Sequence, residues 1–161
     1  MKQQEIHFKY EVYNSIKGLI KKDASLLEQA RNVTTQAYAP YSNFLVGAAA
    51  MLENGEIIHG TNQENASYPV GLCAERVLLS AISSLYPNTA IDTIAISYDN
   101  LNGQSNRPIS PCGICRQSLL EYESRMNHPI RLILSGMDGK VFIIPNAAML
   151  LPLSFNSNDL L

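Results

Sequence analysis

Cys73-Ala74-Glu75-Arg76-Val77-Leu78-Leu79-Ser80-Ala81-Ile82-Ser83-Ser84-Leu85 begins on a metal-ligating residue type and continues as a strong helix former. Val77, Leu78, Ala81, Ile82 and Leu85 recur at helical spacing and mark one apolar side. Residues two apart on a regular helix point roughly 200° away from each other, so Cys73 and Glu75 cannot share a site from a helix middle. Cys73 is therefore expected at the helix entrance. A second helix opens near Pro111 in Pro111-Cys112-Gly113-Ile114-Cys115 and runs through Leu119, Leu120 and Tyr122 to about Met126, where Asn127-His128-Pro129 stops it. Cys112 and Cys115, three apart, fall on one face of its first turn.

Outward from these helices the chain reads as strands and one further helix. Glu5 to Tyr13 alternates through Ile6, Phe8, Tyr10 and Val12, a strand pattern. Ser25 with Glu28 has the form of a capping box, and Leu26, Leu27, Ala30, Val33 and Ala37 follow at helical spacing, predicting a helix over 25–38. Phe44 to Leu52, Asn54-Gly55 and Glu56 to Gly60 predict a hairpin with a primed turn. Asn62 to Gly71 is polar and irregular, Ile91 to Tyr98 is a buried strand, and Asp99 to Ser110 is a loop. Ile130 to Leu134 and Lys140 to Ile144 flank a turn at Met137-Asp138-Gly139, and Asn146 to Leu161 forms a short helix with an extended end. No repeat or linker divides the chain.

The 161 residues, 46% of them hydrophobic, suffice for one core. Twelve basic against 14 acidic side chains give a net charge of −2, without the positive excess that gathers phosphate backbones or anionic lipid. No polynucleotide and no membrane are expected as partners. No run approaches the roughly 20 apolar residues of a span, and Met1 to Glu5 lacks the apolar core of a secretory signal. A cytoplasmic location is expected, where thiols stay reduced.

All three cysteines fall in the two short motifs. Structural zinc usually takes four protein ligands, whereas catalytic zinc takes three and keeps a position open. Cys73, Cys112 and Cys115 are thus expected to hold one catalytic Zn2+. A lone Cys-x-x-Cys is also compatible with a redox pair or half of a structural site. A Cys or His two residues before a Glu, with a later Pro-Cys-x-x-Cys, is however the signature of zinc nucleobase deaminases. Both helix N-termini would favour thiolates. Three thiolates leave the centre with a formal charge near −1, and Arg76 is the residue expected to offset it by donating to thiolate sulfur, with Arg116 second. His7, His59 and His128 have no ligand spacing.

From about Ala39 to its end the chain resembles the small, homotetrameric, zinc-dependent cytidine deaminases. The resemblance lies in Pro40-Tyr41-Ser42-Asn43-Phe44, Val46-Gly47-Ala48-Ala49, Asn62-Gln63-Glu64-Asn65-Ala66-Ser67-Tyr68-Pro69, Cys73-Ala74-Glu75-Arg76, Ser110-Pro111-Cys112-Gly113-Ile114-Cys115-Arg116-Gln117 and Leu150-Leu151-Pro152-Leu153-Ser154-Phe155. It implies an α/β protein with a three-layer α/β/α fold around a mixed five-stranded sheet, and sites completed by neighbouring subunits. By the family motif, Asn62 and Glu64 bind the ribose, Phe44 stacks near the pyrimidine, the Ala74 main chain bonds the base, and Tyr68 and Phe155 reach across a subunit boundary. Leu45 and Asn156-Ser157 depart from the family pattern, which bears on the pocket wall. Residues 1–20 read as an N-terminal extension and 21–161 as the catalytic domain.

The activity implied is hydrolytic deamination of cytidine and 2′-deoxycytidine to uridine and 2′-deoxyuridine with release of ammonia, in pyrimidine salvage. Glu75 is the expected general base and then acid. A deaminase of another cytosine compound such as blasticidin, a non-catalytic zinc protein and a polynucleotide editor are the alternatives. The ribose segment argues against the first and the acidic balance against the last.

Overall fold

The computed structural model describes residues 1–160. Six strands, β1 (Glu11–Tyr13), β2 (Phe44–Leu52), β3 (Ile57–Thr61), β4 (Ile91–Asn100), β5 (Arg131–Ser135) and β6 (Val141–Ile144), form one sheet in the order β1-β6-β5-β4-β2-β3. β4 and β5 run parallel and every other neighbouring pair antiparallel. A parallel pair needs a crossover, and α3 (Gly113–Met126) supplies it. The mixed sheet therefore has one strand more than expected, because β1 comes from the N-terminal stretch and pairs with β6. The rest of the expected strand, Glu5 to Tyr10, lies outside the ladder.

Period-2 alternation in the strands builds two cores. Ala48, Ala50, Ile94, Ile96, Leu132 and Leu134 face α2 (Ala74–Leu85) and α3, where they meet Leu78, Ile82 and Leu119. Ala49, Ala95, Ile133, Val141 and Ile143 face the other way, onto Leu26, Leu27 and Ala30 of α1 (Lys21–Val33). The result is the expected three-layer α/β/α arrangement, with α1 alone on one face.

Local chemistry moves two boundaries. α1 starts four residues earlier than the Ser25–Glu28 box implies and has no side-chain cap. Asp23, in its first turn and only 4% exposed, accepts a bidentate pair from Arg131 on β5 at 2.8 and 2.6 Å, so a tertiary contact anchors the helix start. At the other end Thr34 and Thr35 hydroxyls capture the Arg31 and Asn32 carbonyls, and the helix tightens into a 3-10 turn over Thr34–Gln36. The β2–β3 turn is not primed: Gly55 alone has positive φ, +87°, and Gly55 N–H donates to the Leu52 carbonyl in a three-residue loop.

Two contacts set the positions of α2 and α3. Gly60 on β3 lies beneath α2 so closely that a Cβ there would sit 2.6 Å from both the Ala74 carbonyl oxygen and the Leu78 nitrogen. At the far end of α3, buried Glu123 accepts N–H groups of Ile130, Ala147 and Ala148 at 2.7, 3.0 and 3.0 Å, joining the helix to the entry of β5 and to the C-terminal segment. Burial pushes the Glu123 carboxyl up, and the three N–H donors oppose that rise. The last residue of the expected 21–161 domain, Leu161, lies outside the described residues.

Backbone atoms cannot yield as side chains do, so Gly60→Ala should displace the start of α2. A loss of about 1–3 kcal/mol in urea unfolding is expected, as for overpacked cores, together with reduced zinc content by metal analysis.

Candidate active site and metal centre

Cys73 caps α2 and Cys112 caps α3, with extended backbone at both, and Cys115 lies in the first turn of α3. Their sulfurs lie within 4.8 Å of one another, with Cys73 to Cys112 at 3.8 Å and Cys112 to Cys115 at 3.5 Å. Tetrahedral zinc at ~2.3 Å from each thiolate would set the sulfurs about 3.8 Å apart, so the donor set fits that ion. All three cysteines are free thiols. Hydrogen bonding from Cys115 draws the Cys73 thiol down to about 6, while the same contact pushes Cys115 up. One thiolate can be sheltered by its neighbours, but three need a cation.

Glu75 follows Cys73 by two residues and is 5% exposed in the first turn of α2. Burial pushes its carboxyl up, a shift common among proton-transfer groups. Ala74 is the first residue of α2, so its N–H has no acceptor inside the helix and is available to a ligand.

A cleft of about 310 Å³ opens onto Cys73, Ala74, Glu75 and Cys112, with Asn62, Glu64 and Tyr68 on its other walls. Glu64 Oε2 accepts the Tyr41 and Ser42 N–H groups at 2.9 and 3.3 Å. The Ser42 hydroxyl and these N–H groups hold the Glu64 carboxyl below its ordinary value. Asn62 is more committed than its motif suggests. Its Oδ1 accepts from Val46 N–H at 2.7 Å and its Nδ2 donates to the Phe44 carbonyl at 2.9 Å, leaving one N–H and one lone pair for a ligand.

Three of the other sequence-derived residues are placed apart from this cleft. Phe44 stacks on Tyr98 with centroids 4.8 Å apart and 15° between planes. Phe155 is 59% exposed, its carbonyl held by Gln117 of α3 at 3.0 Å. Arg76 makes no hydrogen bond to sulfur among the described residues and lines a separate groove between α2 and α3 with Ser118 and Tyr122. Its charge still favours the Cys73 thiolate through space, after larger contributions from its neighbours.

The strut beside the metal loop is instead Arg116, whose Nε donates to the Pro111 carbonyl at 2.9 Å and Nη1 to the Leu150 carbonyl at 3.0 Å. Its place directly after Cys115 was the available signal, but the acceptors are backbone atoms that sequence does not display. Ser42 was missed as the partner of Glu64, although it lies in the quoted Pro40 to Phe44 motif.

Paired helix N-termini presenting three thiols and a buried carboxylate define a hydrolytic zinc centre of the nucleobase deaminase type. Comparison with known proteins agrees. Residues 20–127 match the cytidine and deoxycytidylate deaminase zinc-binding region. A cytidine deaminase of Halalkalibacterium halodurans is 35% identical over 84% of this chain and 95% of its own length. A crystal structure of cytidine deaminase from Burkholderia pseudomallei superposes with a TM-score of 0.69 at 40% identity, covering 81% of this chain and 97% of that one. A blasticidin-S deaminase of Bacillus cereus is 31% identical over 88% of this chain and 97% of its own length. The chain belongs to the cytidine and deoxycytidylate deaminase family.

Removing one of three ligands should abolish a three-ligand site. Cys112→Ala is expected to lose both bound zinc and activity, with elemental analysis of the purified protein as the check; a stoichiometric zinc site in that variant would overturn the ligand set.

Proposed function

We infer that this protein is a cytidine deaminase that hydrolyses free cytidine and 2′-deoxycytidine to uridine and 2′-deoxyuridine, releasing ammonia. The observation that carries the reading is the convergence of Cys73, Cys112, the buried Glu75 and the polar pair Asn62 and Glu64 on one cleft. Cys73, Cys112 and Cys115 would hold the zinc ion, whose Lewis acidity would lower the cost of ionising water near neutral pH.

Glu75 takes a proton from the attacking water and delivers it to N3 of the cytosine ring as the oxygen bonds to C4. The second proton of that oxygen then passes through Glu75 to the amino group. The C4–N bond breaks, ammonia leaves, and C4 keeps its oxygen as the uracil carbonyl. The Ala74 N–H bonds the base, while Phe44 stacks on Tyr98 outside the cleft and its carbonyl fixes the Asn62 amide.

In this reading a ribose hydroxyl bonds Glu64 Oε1 and the remaining Asn62 N–H, which is supported by Glu64 Oε2 being already spent on Tyr41 and Ser42. The cleft lining includes Glu64 and Glu75 but neither lysine nor arginine. A 5′-phosphate or a phosphodiester would meet uncompensated negative charge there, which favours nucleosides over nucleotides and strands. Tyr68, 74% exposed, and Phe155 are surfaces for a neighbouring subunit to complete the site. The assembly in this reading is a homotetramer, acting in cytoplasmic pyrimidine salvage.

A second reading, deamination of blasticidin S, is favoured by the likeness to the Bacillus cereus protein. Loss of absorbance at the cytosine band separates the two. Cytidine and 2′-deoxycytidine should turn over, and deoxycytidylate and a short cytosine oligonucleotide should be poor substrates. Faster turnover of blasticidin S than of cytidine would install the second reading, and comparable kcat/KM for cytidine and the oligonucleotide would remove the ribose assignment. Glu75→Gln should fold and retain zinc yet lose at least the roughly 10²- to 10⁴-fold due to one general acid/base; retention of more than a tenth of kcat would refute its role. Light scattering should find a tetramer at working concentration.

A further inference from the structure

The N-terminal stretch outside the deaminase site carries its own instruction. Its side chains separate onto two faces of an extended chain. On one, Phe8 and Tyr10 lie 6.2 Å apart between ring centroids, and Tyr10 continues onto Phe142 of β6 at 5.1 Å. On the other, His7 contacts Glu5 at 2.8 Å and the Tyr13 hydroxyl donates to Glu11 at 2.6 Å. Contacts two residues apart on each face are the geometry of a strand.

Only Glu11–Tyr13 pair with β6, in the register Glu11 to Ile143, Val12 to Phe142 and Tyr13 to Val141. Continued outward, that register would set Lys9 against Pro145, which has no N–H to give. The arm therefore runs past the end of its partner strand β6. Its apolar face stays open, with Ile6 62%, Phe8 42%, Tyr10 48% and Val12 51% exposed. β1 is also the last strand of the sheet, so its outer edge is unpaired.

We propose that the arms of two copies of this chain pair antiparallel through residues 7–13, with Tyr10 on the two-fold axis, joining the two sheets edge to edge. Charge selects the register. With Tyr10 opposite Tyr10, Lys9 of each copy faces Glu11 of the other, and Phe8 faces Val12 on the apolar side. Shifting by one pair in either direction sets Lys9 against Lys9 or Glu11 against Glu11, and directly opposed like charges destabilise a sheet. A shift that sets apolar against polar residues loses the apolar face altogether. A two-fold axis normal to the sheet leaves both apolar ladders on the same side, forming one stripe with the two Phe142 rings.

Opposed residues in an antiparallel pair have Cα atoms about 4.5–5.5 Å apart, within disulfide range. Full-length, zinc-loaded Tyr10→Cys protein should therefore give a covalent dimer on mild oxidation, at least tenfold above the unsubstituted chain on a non-reducing gel. Lys9→Cys should not. Adding Lys9→Glu to Tyr10→Cys should lower the yield several-fold, and adding Glu11→Lys as well should restore it. If the Tyr10 ring is itself needed for pairing, mixed Phe8→Cys and Val12→Cys proteins should still form the heterodimer. Cross-linking of Lys9→Cys as strongly as Tyr10→Cys, failure of both Tyr10→Cys and the mixed pair, or no recovery in the charge swap would each overturn the proposal. Deaminase activity does not enter the readout, so failure here is separate from failure of the assigned reaction.

Discussion

Three sulfurs within 4.8 Å of one another impose the requirement that the rest of the molecule meets. Like charges at that distance repel strongly unless a cation and aligned dipoles offset them. Two helix N-termini, a central core and a glycine contact bring the thiols there. α2 and α3 lie on one face of the sheet over Ile94, Ile96, Leu132 and Leu134, and their caps are Cys73 and Cys112. Gly60 sets the distance of α2 from the sheet, and Arg116 ties the loop before Cys112 to the C-terminal segment.

The same packing divides labour among the carboxylates. Glu75 is buried, and burial raises its proton affinity. Glu64 is cradled by Ser42 and two backbone N–H groups and remains an acceptor. Asp23 is as buried as Glu75 but faces Arg131 in a bidentate pair and anchors α1. Glu123 meets three backbone donors and anchors α3. Four similar groups thus differ in proton affinity and in what they hold in place, and their partners decide which.

Much of this was legible in the residues because it depends on local spacing. The helical periods of α2 and α3, the strand segments and turns of β2 to β6, the stop of α3 at Asn127 and the grouping of the cysteines are all written within a few turns of chain. Where the reading slipped, a distant partner had intervened. The Ser25–Glu28 box was sound local grammar, but the Asp23–Arg131 pair carries the helix past it. The strand pattern over Glu5 to Tyr13 was sound too, yet only Glu11–Tyr13 pair with β6, and the register carried further would set Lys9 against Pro145, which has no N–H. Arg76, adjacent to Glu75 in sequence, was expected at the sulfurs and instead lines the groove between the helices.

The sequence by itself determined the chemistry: three thiols and a carboxylate at spacings that place them on helix first turns, since residue type and helical geometry are local properties. Tertiary structure alone decided which atoms were left free to use it. Asn62 spends half its amide on β2, Glu64 spends one oxygen on Tyr41 and Ser42, and Arg116 spends its guanidinium on two carbonyls. A hydrogen bond to backbone can be made by any residue that folding brings near, so its partner leaves no mark in the sequence.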